Sequence, residues 1–295
     1  MNNRFIDQST NRKNTIVKNN LKFINDFPLF SILEFNITGN CNRDCSFCPV
    51  SNPEVYIRSN DAISPELFEK ITLDLKEINY SGKILFSAFS EPLLHKEIEK
   101  LISTARKNLQ NCRIEIVSNG DLVTAKKLKK LYDAGLDTIN ISMYDGKHQI
   151  DIFENMQKES EVPKDFVVLR RRYWENGNYG ITISNRAGLI DSNEFRDKNE
   201  EKILELPIKE KCFYPFYMIL VDLNGDVLLC PHDWKKSVIF GNLQNENILD
   251  IWRGKKLETM RKNLSNSNRN FTPCKTCDVL GTVMGKESFK AWNKI

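Results

Sequence analysis

Seven of the eight cysteines fall into two groups, and their spacing constrains this chain more than any other feature. The first group has the spacing C-x3-C-x2-C and consists of Cys41, Cys45 and Cys48. The second group ends in a C-x2-C pair and consists of Cys212, Cys230, Cys274 and Cys277. Clustered cysteines in a cytosolic chain indicate metal binding or catalysis rather than disulfides. We therefore expect two metal centres, with three thiol ligands in the first and four in the second.

Composition limits the partners that such a chain can have. The 295 residues are 40% hydrophobic and 28% charged, which suffices for a buried core. A net charge of +4 is too weak to indicate binding to nucleic acid or to a membrane surface. The polar N-terminus has no apolar stretch typical of a secretion signal, and no apolar run is long enough to span a bilayer. We expect a cytoplasmic protein.

Strand and helix signals alternate from Ser31 onward. Ser64-Pro65 is a typical helix start, and apolar residues at helical spacing follow it. The predicted strands are Ile32–Ile37, Ile84–Ser87, Ile114–Val117, Thr138–Ser142, Phe166–Leu169 and Ile181–Ile183. This alternation predicts an α/β fold, a partial (β/α)6 TIM-like barrel with its site at the carboxyl ends of the strands. Asn176-Gly177 looks like a turn, so the last strand could instead be an antiparallel partner.

The pattern changes after Pro207. Tyr217–Asp222 and Asp226–Leu229 flank Asn224-Gly225, which is a strong hairpin signal, and a short helix follows around Ile248–Trp252. We predict an N-terminal arm or first helix over residues 1–30, the barrel over 31–206, and a small C-terminal α+β domain over 207–295.

The first cysteine group suits an incompletely ligated iron–sulfur cube. Three thiolates cannot fill the four corners of a [4Fe–4S] cluster, so one iron keeps an open position for a small chelating ligand. A structural zinc site would need a fourth ligand, and no histidine lies between Lys22 and Leu94. Zinc shared with a distant ligand and three structural cysteines remain as alternatives.

The segment C-N-R-D-C-S-F-C, residues 41 to 48, resembles the radical S-adenosylmethionine (SAM) superfamily. The resemblance implies that the three cysteines hold a [4Fe–4S] cluster whose open iron binds the amine and carboxylate of SAM. It also implies that Phe47 packs near the adenine of SAM. The fold expected from the resemblance is the radical SAM barrel.

Three further segments resemble the SAM-contacting turns of that superfamily, and each follows a predicted strand. They are Phe89-Ser90-Glu91-Pro92, Ser118-Asn119-Gly120 and Ser142-Met143-Tyr144-Asp145-Gly146. The resemblance implies that Ser90, Glu91, Ser118, Asn119 and Ser142 contact SAM. Two departures stand out: Ser90 replaces a usual glycine, and Tyr144 is inserted before Asp145.

Arg186 in Asn185-Arg186-Ala187-Gly188 follows the last predicted strand. Its guanidinium could pair with the SAM carboxylate or a substrate anion, or it could simply be exposed. No residue in the sequence identifies itself as the catalytic base.

The second cysteine group has two interpretations. A hairpin followed by C-x2-C also describes zinc ribbons, and physical reasoning alone favours zinc. However, C-x12-G-x4-C followed by Phe240-Gly241-Asn242-Leu243, Ile251-Trp252 and C-x2-C resembles the SPASM and twitch domains that follow many radical SAM barrels. With four cysteines, the resemblance implies one auxiliary [4Fe–4S] cluster ligated by all four.

The implied function is that of a radical SAM oxidoreductase. SAM would be cleaved reductively to a 5′-deoxyadenosyl radical that abstracts hydrogen from a sugar, aminocyclitol or sugar nucleotide. The auxiliary cluster would accept an electron, and a flavodoxin- or ferredoxin-type protein would donate the priming electron. Two alternatives remain. One is modification of a ribosomal peptide or protein, disfavoured because only 40 residues precede Cys41. The other is a non-enzymatic zinc protein.

Overall fold

The computed structural model describes residue 7 and residues 9–195 and 204–294. The described helices are α1 (Thr10–Asn19), α2 (Pro65–Glu77), α3 (Ile98–Asn108), α4 (Ala125–Asp133), α5 (Gln149–Glu159), α6 (Tyr214–Tyr217), α7 (Ile248–Arg253), α8 (Lys255–Ser265) and α9 (Lys286–Trp292). The described strands are β1 (Phe23–Ile24), β2 (Phe27–Pro28), β3 (Ile32–Phe35), β4 (Lys83–Phe86), β5 (Arg113–Ser118), β6 (Thr138–Met143), β7 (Val167–Arg171), β8 (Met218–Val221), β9 (Asp226–Leu228) and β10 (Ile239–Asn242).

One eight-stranded sheet organises the molecule, in the order β10-β9-β8-β3-β4-β5-β6-β7. The strands from β8 across to β7 are parallel, whereas β9 and β10 are antiparallel to their neighbours. Helices α2 to α5 connect the parallel strands, as crossover connections require. The sheet is curved but not closed, so the prediction of a partial α/β barrel is confirmed.

The prediction of the sixth strand is wrong. Ile181–Ile183 forms no strand, because Asn176-Gly177 reverses the chain and only an isolated bridge between Glu175 and Asn178 forms there. The sixth parallel strand is β8, which pairs with β3 on the side away from β4, Ile32 facing Met218. The predicted hairpin around Asn224-Gly225 does form, as β8 and β9. Its first strand therefore belongs to the barrel sheet as well, while the domain boundaries remain predictions.

The predicted N-terminal arm contains a helix that packs against the barrel interior. Ser31 Oγ donates to the carbonyl of Val17 at 3.0 Å, and the Arg12 guanidinium lies 2.7 Å from the Glu115 carboxylate on β5. Val17 packs beside Ile32 and Met218. These contacts fix α1 across the sheet, so that Asp7 and Lys13 face the interior cavity.

The core lies between the sheet and its helices. Phe35, Phe68 and Phe86 pack together in tilted and edge-on arrangements, with ring centroids 5.1 to 6.2 Å apart. Ser64 caps α2 as predicted, its Oγ accepting from the Leu67 amide at 3.1 Å. This packing fixes the strands whose carboxyl ends carry the predicted site. Within the described ranges, no helix combines the length and apolar character needed to cross a membrane.

Candidate active site

A cavity of about 560 Å³ opens inside the barrel toward the carboxyl ends of the parallel strands. It brings together residues that are far apart in the sequence. Every residue predicted to contact SAM lines it: Phe47, Ser90, Glu91, Ser118, Asn119, Ser142 and Arg186. The three cysteines of the first group line the same cavity.

An arginine between two aspartates holds the loop of the first cysteine group in place. The Arg43 guanidinium pairs with Asp121 after β5 and with Asp145 after β6. It also lies 5.2 Å from the ring centroid of Tyr144. Asp145 therefore has a structural partner, which accounts for its place after the inserted Tyr144.

The donor set of the first group fits the cluster that the sequence implies. Cys41, Cys45 and Cys48 lie close enough to influence one another's ionisation, and burial raises the pKa of the Cys45 thiol to about 12. Burial also raises the pKa of Cys48, while the Arg186 charge opposes that rise. Loading with iron must therefore displace protons from buried thiols.

Glu91 ties together two of the turns that the sequence predicts to contact SAM. One carboxylate oxygen accepts from Ser118 Oγ at 2.8 Å and the other accepts from the Asn119 amide at 2.7 Å. Asn119 Nδ2 in turn donates to Asn42 Oδ1 at 2.9 Å, beside Cys41. Ser90 Oγ donates to Asn36 Oδ1 at 2.7 Å, so the serine that replaces a usual glycine has its own anchor.

The turn after β6 is fixed by an arginine that the sequence did not single out. Arg170 Nη2 on β7 donates to Ser142 Oγ at 2.7 Å. Phe47 stacks on Tyr144 with centroids 5.7 Å apart, and Tyr179 and Phe195 pack around it. The inserted Tyr144 thus forms part of the aromatic wall beside the first cysteine group.

The four cysteines of the second group surround a second, smaller cavity. Arg269 braces this region by donating to the carbonyls of Glu210, Lys211 and Val279. The four thiols around one cavity are the donor set that a single four-iron cluster requires.

A glycine makes room for one of these thiols. A β-carbon at Gly281 would collide with Cys212 Sγ, although the Gly281 backbone does not itself require glycine. We expect Gly281→Ala to displace that thiol and to lower the iron content of the reconstituted protein by roughly half, since one of two four-iron cubes would be lost. Iron and sulfide analysis measures this. An alanine variant that keeps all its iron would contradict the placement of Cys212 in the second centre.

A strained turn joins the two cysteine groups. Arg186 and Ala187 have positive φ angles of 48° and 57°, and the amide of Asn185 donates to Asp278 Oδ1 at 2.9 Å. Thr276 Oγ1 donates to the carbonyl of Ala187 at 2.6 Å. Non-glycine residues rarely adopt such angles unless the surroundings hold them there. Arg186 is thereby held between Cys48 and His232, whose pKa values both respond to its charge.

Sequence reasoning missed three cavity residues, Glu34, Lys13 and Arg170. Burial raises the pKa of the Glu34 carboxyl to about 7 and lowers that of the Lys13 ammonium to about 7. A signal for Glu34 existed, because it is a charged residue inside an otherwise apolar predicted strand. Period-two alternation puts it on the same face as Ile32, which is the cavity face.

Comparisons with known proteins agree with this geometry. The sequence profile of the radical SAM superfamily matches residues 35–151, and that of an iron–sulfur cluster-binding domain named SPASM matches residues 212–278. A S-adenosyl-L-methionine-dependent 2-deoxy-scyllo-inosamine dehydrogenase of Niallia circulans is 26% identical over 253 residues, 85% of this chain and 93% of that protein.

Two further similarities bear on fold and on coverage. The crystal structure of BtrN in complex with AdoMet and 2-DOIA superposes with a TM-score of 0.71 at 25% identity, covering 88% of this chain and 98% of that one. A GTP 3′,8-cyclase of Clostridium acetobutylicum is 34% identical over 118 residues, but these span only 38% of this chain and 34% of the cyclase. The similarity to BtrN thus extends over most of both chains, whereas the similarity to the cyclase covers about a third of each.

Proposed function

The chain belongs to the radical SAM superfamily and carries a SPASM-type iron–sulfur domain, and from this premise we propose that it oxidises a small hydroxylated molecule. The substrate class is that of sugars, aminocyclitols and sugar nucleotides. The observation that carries the proposal is the single cavity that the first cysteine group, the SAM-facing turns and Arg186 share with Pro231, His232 and Gly281 of the second domain. A cavity of about 560 Å³ suits SAM and a small molecule rather than a folded peptide.

The residues present fit the cofactors of the superfamily. Cys41, Cys45 and Cys48 would hold a SAM-binding [4Fe–4S] cluster, and the four cysteines of the second group would hold an auxiliary one. When bound, these groups supply the electron that cleaves SAM, the 5′-deoxyadenosyl group that removes a hydrogen atom, and an acceptor for one further electron. The protein's own side chains bind and orient the substrate, exclude water and take up the proton.

Oxidation of a secondary alcohol to a ketone removes one hydrogen atom, one electron and one proton. The C–H hydrogen leaves as an atom, the remaining electron leaves toward the second cysteine group, and the O–H proton needs a base. Cavity-facing Asp7 and Glu115 are ion-paired, and Glu91 is occupied by the turns after β4 and β5. Glu34, buried and without an ion-pair partner at salt-bridge distance among the described residues, is the remaining carboxylate.

We propose Glu34 as the proton acceptor. The groups that face it are Lys83 on β4, Ser87 directly after β4, Lys13 on α1, and Tyr214 and Tyr217 on α6. Burial dominates its electrostatics and raises its pKa to about 7, near the optimum for a general base at neutral pH. Arg186, a poor base because of its high pKa, would instead orient the hydroxyl or pair with the SAM carboxylate.

We expect Glu34→Gln to lower the rate of substrate oxidation by about 100-fold or more, the usual contribution of a general base. In the unmutated enzyme, kcat should rise with pH through about 7, because the carboxylate must be ionised to accept the proton. The variant should lack this rise. Product formation at several pH values, at saturating substrate, measures both effects.

Glu154→Gln is the matched control, since Glu154 is exposed on α5 outside the cavity. It should retain both the rate and the pH profile. A Glu34→Gln enzyme with an unchanged pH profile would exclude Glu34 as the base.

The proposed function itself is tested by supplying the reduced, SAM-bound enzyme with hydroxylated ring compounds. One of them should yield a ketone together with 5′-deoxyadenosine, and deuterium at the oxidised carbon should appear in the 5′-deoxyadenosine. A flavodoxin- or ferredoxin-type donor in the cytoplasm would replace dithionite as the reductant. Turnover of a peptide with no sugar or cyclitol as substrate would favour the alternative of peptide modification.

A further inference from the structure

The floor of the active-site cavity carries more positive than negative charge. We call Lys13 on α1 together with Arg170 and Arg172 at the end of β7 the cationic floor; all three line the cavity. Asp7 is the carboxylate within it, paired with Arg172 and with Lys13, whose Nζ lies 3.6 Å away. Three cations therefore share one carboxylate.

Glu115, the neighbouring carboxylate, is also surrounded by more cations than it can neutralise. Glu115 contacts Arg12 at 2.7 Å, Arg113 at 2.5 Å and Lys83 at 3.4 Å. Since Glu115 is already shared among these cations, it has little capacity to neutralise the floor. Arg170 confirms the imbalance: its Nη2 donates to the neutral Ser142 hydroxyl, and its buried Nε has no hydrogen-bond partner in the described part of the chain.

This arrangement destabilises the charged form of Lys13. Burial, together with the charges of Arg170, Arg172 and Lys83, lowers its pKa to about 7 against the opposing effect of Asp7. Partly buried cations that outnumber their counter-charges repel one another, and an anion among them relieves the repulsion. SAM does not supply this anion, because its sulfonium offsets its single carboxylate and its amine would be bound to iron.

From this excess charge we propose that the substrate carries an anionic group, a phosphate or a carboxylate, which the cationic floor binds. The inference rests on the proposed function and narrows its substrate class to phosphorylated or acidic hydroxylated rings, such as sugar phosphates and sugar nucleotides. It distinguishes this chain from its relative named for 2-deoxy-scyllo-inosamine. The amine of that compound is a cation at neutral pH and would be repelled by the floor.

The geometry gives the anion a definite role. Lys13, a member of the cationic floor, also lies near Glu34, because its charge lowers the pKa of the Glu34 carboxyl. An anionic substituent on the floor would therefore hold the ring with a hydroxyl near Glu34. Charge-assisted hydrogen bonds from arginine and lysine are the strongest positioning contacts available for such a group.

The test is calorimetric titration of sulfate into the cluster-loaded enzyme, under anaerobic conditions and with SAM saturating so that its carboxylate site is filled. Sulfate is a dianion that does not itself titrate near neutral pH. We expect one site, with uptake of up to about one proton per sulfate at pH 8, because Lys13 is mostly neutral without an anion and charged beside one. Repeating the titration in buffers of different ionisation enthalpy measures the proton uptake.

Three variants assign the effect. Lys13→Met should weaken sulfate binding by about 10- to 100-fold, the range for a hydrogen bond to a charged group. Lys13→Arg should keep the binding but lose most of the proton uptake, since arginine stays charged; any uptake that remains comes from Glu34. Lys18→Met, on the exposed face of the same helix, should behave like the unmutated enzyme.

Each outcome decides one point. Failure of sulfate to bind, or equal binding by the Lys13→Met variant, would overturn the anion site. Oxidation of 2-deoxy-scyllo-inosamine would overturn the anionic substrate class and leave the oxidation proposal standing. Failure of the unmutated enzyme to cleave SAM would contradict the proposed function alone, because sulfate binding does not depend on that chemistry.

Discussion

The Cys45→Ala variant is expected to release no 5′-deoxyadenosine from SAM when dithionite is the reductant. The unmutated protein should release it slowly even without substrate. Cys41, Cys45 and Cys48 would hold the first cluster, and an open iron that binds SAM would exist only when the other three irons are held. The nearby carboxylates are already ion-paired, Asp121 and Asp145 with Arg43 and Asp44 with Arg58, so none of them is a ready replacement ligand. Removing one thiol should therefore abolish the reaction rather than slow it.

Cys112→Ala is the matched control for this variant. Cys112 is the eighth cysteine, buried between α3 and β5 with its thiol 3.2 Å from the carbonyl of Tyr80, away from both cysteine groups. It should leave iron content and SAM cleavage unchanged. Iron analysis should give about eight irons per chain for this control, and about half as many when Cys41, Cys45 and Cys48 are all alanine. Cleavage by the Cys45→Ala variant would show that the first group does not hold the SAM-binding cluster.

The parts of this site that could be predicted from sequence are those fixed by local spacing. Cys41, Cys45 and Cys48 lie in one loop, and each predicted SAM turn directly follows a strand, so parallel topology brings them to the same sheet edge. The apolar periodicity also sufficed for α2, whose Ser64 cap forms as expected. Both inferences need only short segments and one rule of topology.

The parts that could not be predicted depend on pairings between distant segments. Ile181–Ile183 has a strand-like composition, yet the strand that joins the barrel is β8, paired with β3 from much earlier in the chain. Likewise Lys13 acquires its role only because α1 packs across the sheet, which a polar N-terminal segment does not reveal. Arg170 was overlooked because a charged residue at the end of a strand usually faces solvent.

The largest effect on the second centre is expected for Cys274→Ala/Cys277→Ala, which should keep SAM cleavage and abolish the oxidised product. These cysteines close the second cavity, and Asp278 beside them contacts the turn that carries Arg186. After hydrogen abstraction, one electron must still leave the substrate before a ketone can form. With the second cluster absent, that electron loses the acceptor that the second cysteine group would hold, so 5′-deoxyadenosine should accumulate without product.

This variant can separate the two activities because the two cysteine groups line different cavities. Residues of the first group line the cavity of about 560 Å³, whereas Cys274 and Cys277 line the smaller one. Quantifying 5′-deoxyadenosine and ketone separately, with circular dichroism to verify folding, distinguishes the outcomes. Loss of both products in a folded variant would mean that the second centre supports the first rather than accepting an electron. Full ketone formation would mean that the substrate electron leaves by another route. The proposed separate roles of the two cysteine groups would then be wrong.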